Sequence, residues 1–220
     1  MTFRHLLNVR GFFSDYYLGS VFGRSTGRGA RKTLSDRDID LAYARFRRIR
    51  DRAEGRATDA SACRERFVRP LLRDVLGFHV GAGENGIHRL FPSAEAEAAG
   101  EPPLLLVYCG TWDEDLDAGR GKANPMRTLG EALAREGVSY GFLVTGERMR
   151  LIRVPGEGPQ GAYLEADLEG LSEDEDPESF AAFLKLFSAD TFLPGEDGRR
   201  PIEEIERESQ EHAERVSDDL

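Results

Sequence analysis

The run Leu104-Leu105-Leu106-Val107-Tyr108-Cys109 constrains this chain more than any other feature. Its six residues contain no charge and no turn former, so neither side of an extended segment would suit water. Such a run reads as a strand buried on both faces, in the middle of a sheet with a layer on either side. The pattern that follows supplies one of those layers. Asn124 stands where a helix cap is wanted, Pro125 takes the first helical position, and Met126, Leu129, Ala132 and Leu133 form an apolar stripe that stops at Gly137. Three further strands then read out at Tyr140–Val144, Met149–Val154 and Ala162–Ala166, the first two joined as a hairpin by Thr145-Gly146-Glu147. The sum is an α/β fold with a mixed central sheet flanked by helices.

Upstream of that core, Ser35 followed by Asp38 has the spacing of a helix cap, and Ile39, Leu41, Ala42, Phe46 and Ile49 recur at helical intervals. A second helix opens near Asp59 and runs to Leu76, with Pro70 expected to kink or divide it and Gly77 to end it. Weak strand signals at Phe78–Val80 and Ile87–Phe91 flank the turn residues Gly83-Glu84-Asn85-Gly86. Two acidic helices close the chain, from about Pro177 to Phe187 and from about Pro201 onward.

Charge is distributed unevenly. The chain carries −10 overall, yet residues 1–56 hold thirteen arginines and lysines against six acids. Residues 156–220 hold twenty acids against five bases. One end is therefore fitted to a polyanion and the other repelled by it, although charge runs also serve simply as solvated faces. The glycine-rich stretch from Gly19 to Gly29, with Arg24, Arg28, Arg31 and Lys32 in and after it, reads as a loop. It is either a flexible linker or an arm lying along a DNA backbone. Arg45, Arg48 and Arg52 share one helix face and are a second candidate for phosphate contacts, or a solvated row beside Asp51 and Glu54.

No apolar run approaches the roughly 18 residues that span a bilayer, and the first residues are too soon interrupted by Asn8 and Arg10 for a signal peptide. The expectation is a cytoplasmic protein without a membrane partner. Cys63 and Cys109 show no metal-ligand spacing and read as buried small apolar residues. The four histidines are scattered, so the sequence shows no metal cluster.

Four segments carry a resemblance. They are Arg69–Phe78, Trp112–Asp117, Gly141–Leu151 and Phe180–Phe187, and with the opening Phe12–Leu18 they resemble the amino-terminal region of type IIG restriction-modification enzymes. They also look like the related adenine-specific DNA methyltransferases of phage-defence systems such as DISARM and BREX. The likeness spans about residues 60–195 and implies a restriction-endonuclease-like, PD-(D/E)xK-type fold. It divides the chain into a basic arm at 1–34, a nuclease-like domain at 35–195 and the start of a helical connector at 196–220, cut short where the chain stops. It also implies a methyltransferase beyond this segment, so S-adenosylmethionine is expected there and not here. DNA, met mainly through its backbone, and other subunits of a defence system are the implied partners.

The departures from that family's pattern bear directly on activity. Where active relatives place Glu-x-Lys, this chain has Tyr108-Cys109-Gly110, and Glu101-Pro102-Pro103-Leu104 lacks the aspartate that should follow its prolines. Metal-dependent cleavage needs carboxylates to hold a divalent ion and a lysine to assist the attacking water. The expectation is a domain that does not cut and serves DNA or partner binding. The alternative is a Mg-dependent nuclease with relocated ligands, drawn from Asp113, Asp115, Asp117 and Glu65 with Lys122 nearby. Asp115 and Asp117 equally suit a capping role at the entry to the next helix. A third reading is a stand-alone module whose acidic half docks a basic partner. Trp112, the single tryptophan, is either a base-stacking side chain or an anchor in the core. Asn124-Pro125-Met126 lacks the second proline and the aromatic of an adenine methyltransferase motif, and no glycine-rich cofactor loop follows a strand.

Overall fold

The computed structural model describes residues 3–22, 35–118, 124–156, 161–174 and 176–218, without the side chains of 20–22 and 215–218. Seven strands form one mixed sheet: β1 (Leu6–Val9), β2 (His79–Glu84), β3 (Ile87–Phe91), β4 (Leu105–Cys109), β5 (Tyr140–Val144), β6 (Arg148–Arg153) and β7 (Tyr163–Asp167). Their order across the sheet is β1-β7-β6-β5-β4-β3-β2. The helices are α1 (Asp36–Ala53), α2 (Ala60–Cys63), α3 (Ala94–Ala98), α4 (Pro125–Glu136), α5 (Leu168–Glu173), α6 (Pro177–Phe187), α7 (Ala189–Phe192) and α8 (Pro201–Asp218). This is an α/β fold with a mixed sheet flanked by helices, as the apolar run at 104–109 requires.

Every neighbouring strand pair is antiparallel except β4 and β5, which run parallel with Leu106 opposite Gly141 and Cys109 opposite Val144. Parallel neighbours need a crossover, and α4 supplies it. Asn124 caps α4 by accepting the Arg127 backbone N–H at 3.0 Å, Pro125 sits at its start, and Gly137 closes it in the left-handed region at φ 68°. Leu129, Ala132 and Leu133 then meet Leu106, Leu143, Ile152 and Leu116 in a small core on one face of the sheet. The approach is close: a Cβ on Gly141 would lie 3.0 Å from Leu129 Cδ2 and 3.1 Å from the Leu106 carbonyl oxygen. Glycine at 141 lets the crossover helix settle on the sheet.

The opposite face carries the main core. Leu105, Val107, Cys109, Phe142, Val144, Met149, Leu151, Leu164 and Ala166 point there, by the alternation of extended chain. α1 and α6 cover them through Phe46, Phe180, Phe183 and Phe187. Phe142 has Phe192, Phe187 and Phe78 around it, with ring centroids 5.6, 5.7 and 5.9 Å away. Cys63 and Cys109 are free and buried, and burial pushes their thiols up to about 11 and about 12, which leaves them protonated and unreactive at neutral pH.

Several expectations needed revision. The helix expected to kink or divide at Pro70 stays helical through it but changes its turns there. It continues as wider turns over Arg64–Val68 and Leu71–Val75, on either side of the proline. Wider turns relax the carbonyl four residues back, which a proline ring would otherwise strike. The first of the two closing helices, α6, is acidic only around its start, at Asp176 and Glu178. The rest is core, with Phe180, Phe183, Leu184, Leu186 and Phe187 buried. Residues at both ends belong to the packed body. Leu6–Val9 is an edge strand paired with β7, and Phe12, Phe13, Tyr17 and Leu18 are buried. Ile202 and Ile205 of α8 join the same core, and the Tyr17 and Tyr140 hydroxyls donate to Glu208 and Glu206 of α8, each at 2.9 Å. Described residues of 1–34 and of 196–220 thus pack into the same core as residues of 35–195. Arg24, Arg28, Arg31 and Lys32 lie outside the described residues. Among the described residues no helix is long and apolar enough to cross a membrane.

Phe142→Ala should lower the unfolding free energy by about 3–5 kcal/mol, as truncation of a fully buried aromatic does. The readout is the urea midpoint at unchanged m-value. A loss under about 1 kcal/mol would show that the aromatic cluster is not the centre of the core.

Candidate functional site

The segment from Gly110 to Ala118 leaves the end of β4 and holds most of the residues proposed for chemistry. Two backbone bonds tie it to the β5–β6 hairpin: Gly110 N–H donates to the Val144 carbonyl at 2.9 Å, and Gly146 N–H to the Trp112 carbonyl at 3.0 Å. Trp112 is half-buried against the main core, 5.2 Å from the Phe67 ring. A Cβ on Gly146 would run into its indole, so the hairpin glycine and the tryptophan fit one another. Arg50 of α1 completes the arrangement. Only 4% exposed, it donates Nη1 to the Gly146 carbonyl and lies 5.2 Å from the indole centroid. Trp112 is thus an anchor joining α1, the loop and the hairpin.

The loop carboxylates are each placed differently. Glu114 folds back to accept the Tyr108 hydroxyl at 2.8 Å and the Thr111 N–H at 2.9 Å. It also lies where a side chain on Gly110 would begin. Asp115 accepts the Asp117 N–H at 2.9 Å, the turn-forming role open to it. Asp117 makes a two-point contact with Arg150, both oxygens at 2.8 Å from the guanidinium nitrogens. Asp113 is exposed. Glu65 pairs with Arg64 at 3.0 Å and Arg69 at 3.4 Å, and their charges hold its carboxyl below the usual range, the Arg64 hydrogen bond most of all. Lys122 lies outside the described residues. Among the described residues no three histidine, cysteine or acidic side chains are grouped to hold a metal.

Arg150 and Glu165 were not singled out in the sequence. Arg150 sits on β6 directly opposite Glu165 on β7, on the α4 face of the sheet. It is 1% exposed and bonded to Glu165, with Tyr163 stacked 4.2 Å away and Met126 Sδ at 3.7 Å. Burial opposes its charge, and Asp117 and Glu165 outweigh that, holding the guanidinium above its ordinary pKa. The signal was present as one charge of each sign inside neighbouring strands. It becomes readable only when the register is known.

The arginine row at 45, 48 and 52 lies exposed on the outer side of α1, which begins with the expected Ser35–Asp38 capping box. No protein-family model, no curated protein and no solved structure matches the chain.

The Asp117 carboxyl is held below its ordinary pKa chiefly by the hydrogen bonds from Arg150. A carboxyl depressed on folding contributes stability above its unfolded pKa of about 3.9 and loses it as pH falls through the folded value. The urea midpoint of Asp117→Asn should therefore lie below the parent's by a constant amount above about pH 5, and the gap should close below about pH 4. A gap that widens on acidification would contradict the pairing.

Proposed function

We propose that this chain is the amino-terminal accessory domain of an adenine-specific DNA methyltransferase of a phage-defence restriction-modification system. It is a nuclease-like scaffold that binds DNA or a partner subunit without cutting. The order of elements supports the nuclease likeness. A helical segment at 60–75 precedes the antiparallel set β2, β3 and β4, and α4 then crosses over to β5, parallel to β4. That is the succession implied by the resemblance.

The observation that carries the inert reading is the pair Tyr108 and Gly110. These positions fall where a cutting enzyme of this kind places its glutamate and lysine. Tyrosine and glycine hold no metal and assist no water. The nearest carboxylate, Glu114, is engaged by the Tyr108 hydroxyl and the Thr111 N–H. It also occupies the space a lysine at 110 would need. Such a surface retains shape for DNA or a protein while offering no place for the chemistry. Methyl transfer, with its S-adenosylmethionine, belongs to a region of the protein beyond this segment.

The test is plasmid nicking by the purified chain in magnesium and in manganese, beside an Asp113→Ala plus Asp115→Ala variant. The expected result is intact supercoiled plasmid in every lane. Nicking by the parent that the variant loses would overturn the proposal and place relocated ligands in the 113–117 loop.

A further inference from the structure

We infer that the outer face of α1 is a binding surface for the phosphate backbone of double-stranded nucleic acid, read without regard to sequence. The inference deepens the reading above, in which the domain binds DNA or a partner, by committing to one ligand and one surface. The inner side of α1 is taken up by the core: Phe46 and Ala53 are fully buried, and Ile39, Ala42, Tyr43 and Ile49 pack against the same cluster. On the other side Arg37, Arg45, Arg48 and Arg52 are all exposed. Their separations of eight, three and four residues bring them onto one stripe of the helix.

None of the four makes a hydrogen bond or ion pair with a described residue. Arg45 comes nearest to one, since its charge adds a smaller part to what Arg73 does in holding the Asp74 carboxyl down. Among the described residues, four cations are thus presented to solvent without a hydrogen-bond or ion-pair partner. From Arg37 to Arg52 the row is about 22 Å long at 1.5 Å per residue, enough to follow several phosphates of a duplex that carries one charge per about 1.7 Å.

The row is also held in place. The Ser35–Asp38 capping box fixes one end of α1. Arg50 pins the other to the β5–β6 turn through the Gly146 carbonyl, with Glu169 Oε1 3.7 Å from its Nη2. A cationic row on a rigid helix loses little backbone freedom on binding. With the chain at −10 overall, attraction to a polyanion has to be local, which fits a confined surface. Leu41 lies within the same stripe, 50% exposed, and offers no donor to base edges. Contacts from such a row to phosphates position a duplex and carry no sequence information.

The experiment is fluorescence anisotropy of a labelled 20-base-pair duplex with the full chain across a series of salt concentrations. The comparison is the triple variant Arg45→Ala, Arg48→Ala, Arg52→Ala, with Arg127→Ala on α4 as a control. Each neutralised phosphate contributes about 0.9 to the slope of log affinity against log salt, so the triple variant should bind with a slope shallower by about 2.7. Its melting temperature should match the parent's, and two duplexes of unrelated sequence should bind alike. The control should bind as the parent does. Absence of duplex binding by the parent at 50 mM salt would overturn the inference, as would an unchanged slope in the triple variant. Either result would direct the stripe to an acidic protein surface instead. The nicking assay is read separately: a parent that binds as expected and also nicks sinks the inert reading alone.

Discussion

The parallel pairing of β4 with β5 is the constraint from which the rest of the architecture follows. Two parallel neighbours cannot be joined by a turn, so a helix must cross between them, and both faces of the pair are then covered. α4 takes one face, with Gly141 letting it come close, and α1 with α6 takes the other. The chain accordingly makes its strands at this point almost wholly apolar. The price of that arrangement is a long excursion after β4, because the chain must leave the sheet before it can enter α4. The segment from Gly110 to Ala118 is part of that excursion.

Fixing this excursion uses the side chains that would otherwise be available for chemistry. Asp117 satisfies the buried Arg150, which also meets Glu165 across the sheet. A buried guanidinium left with one partner fewer would be costly, so Asp117 is tied to that role. Glu114 closes the start of the loop through Tyr108 and Thr111, and Trp112 is held by Phe67, Gly146 and Arg50. Of the loop acids, Asp113 alone is exposed with no described hydrogen-bond or ion-pair partner. The loop is organised as a structural clasp between the sheet and α1. The same clasp, through Arg50, sets the position of the arginine stripe.

The parts of this fold legible in the sequence were those written in local pattern. The run at 104–109, the Asn124-Pro125 start and Gly137 end of α4, and the Thr145-Gly146-Glu147 turn each carry their own signal over a few residues. β1 did not, since Leu6–Val9 is four residues long, includes Asn8, and is a strand only because β7 lies beside it. The short helices α3, α5 and α7 likewise left no periodic stripe to read. For the site, the sequence located the loop but not the role of its acids. Asp117 could be separated from a metal ligand only by finding Arg150 opposite Glu165, a fact of register that spacing along the chain does not contain.

Whether the 113–117 loop is a clasp with no working metal centre is tested more directly by metal binding than by any activity. Manganese added to the isotopically labelled chain would be followed by amide NMR. The expected result is weak, unsaturable broadening spread over exposed carboxylates, with the amides of Asp113, Glu114, Asp115 and Asp117 affected no more than others. Saturable broadening centred on those four amides, with a stoichiometry near one, would contradict it and restore the loop as a metal site.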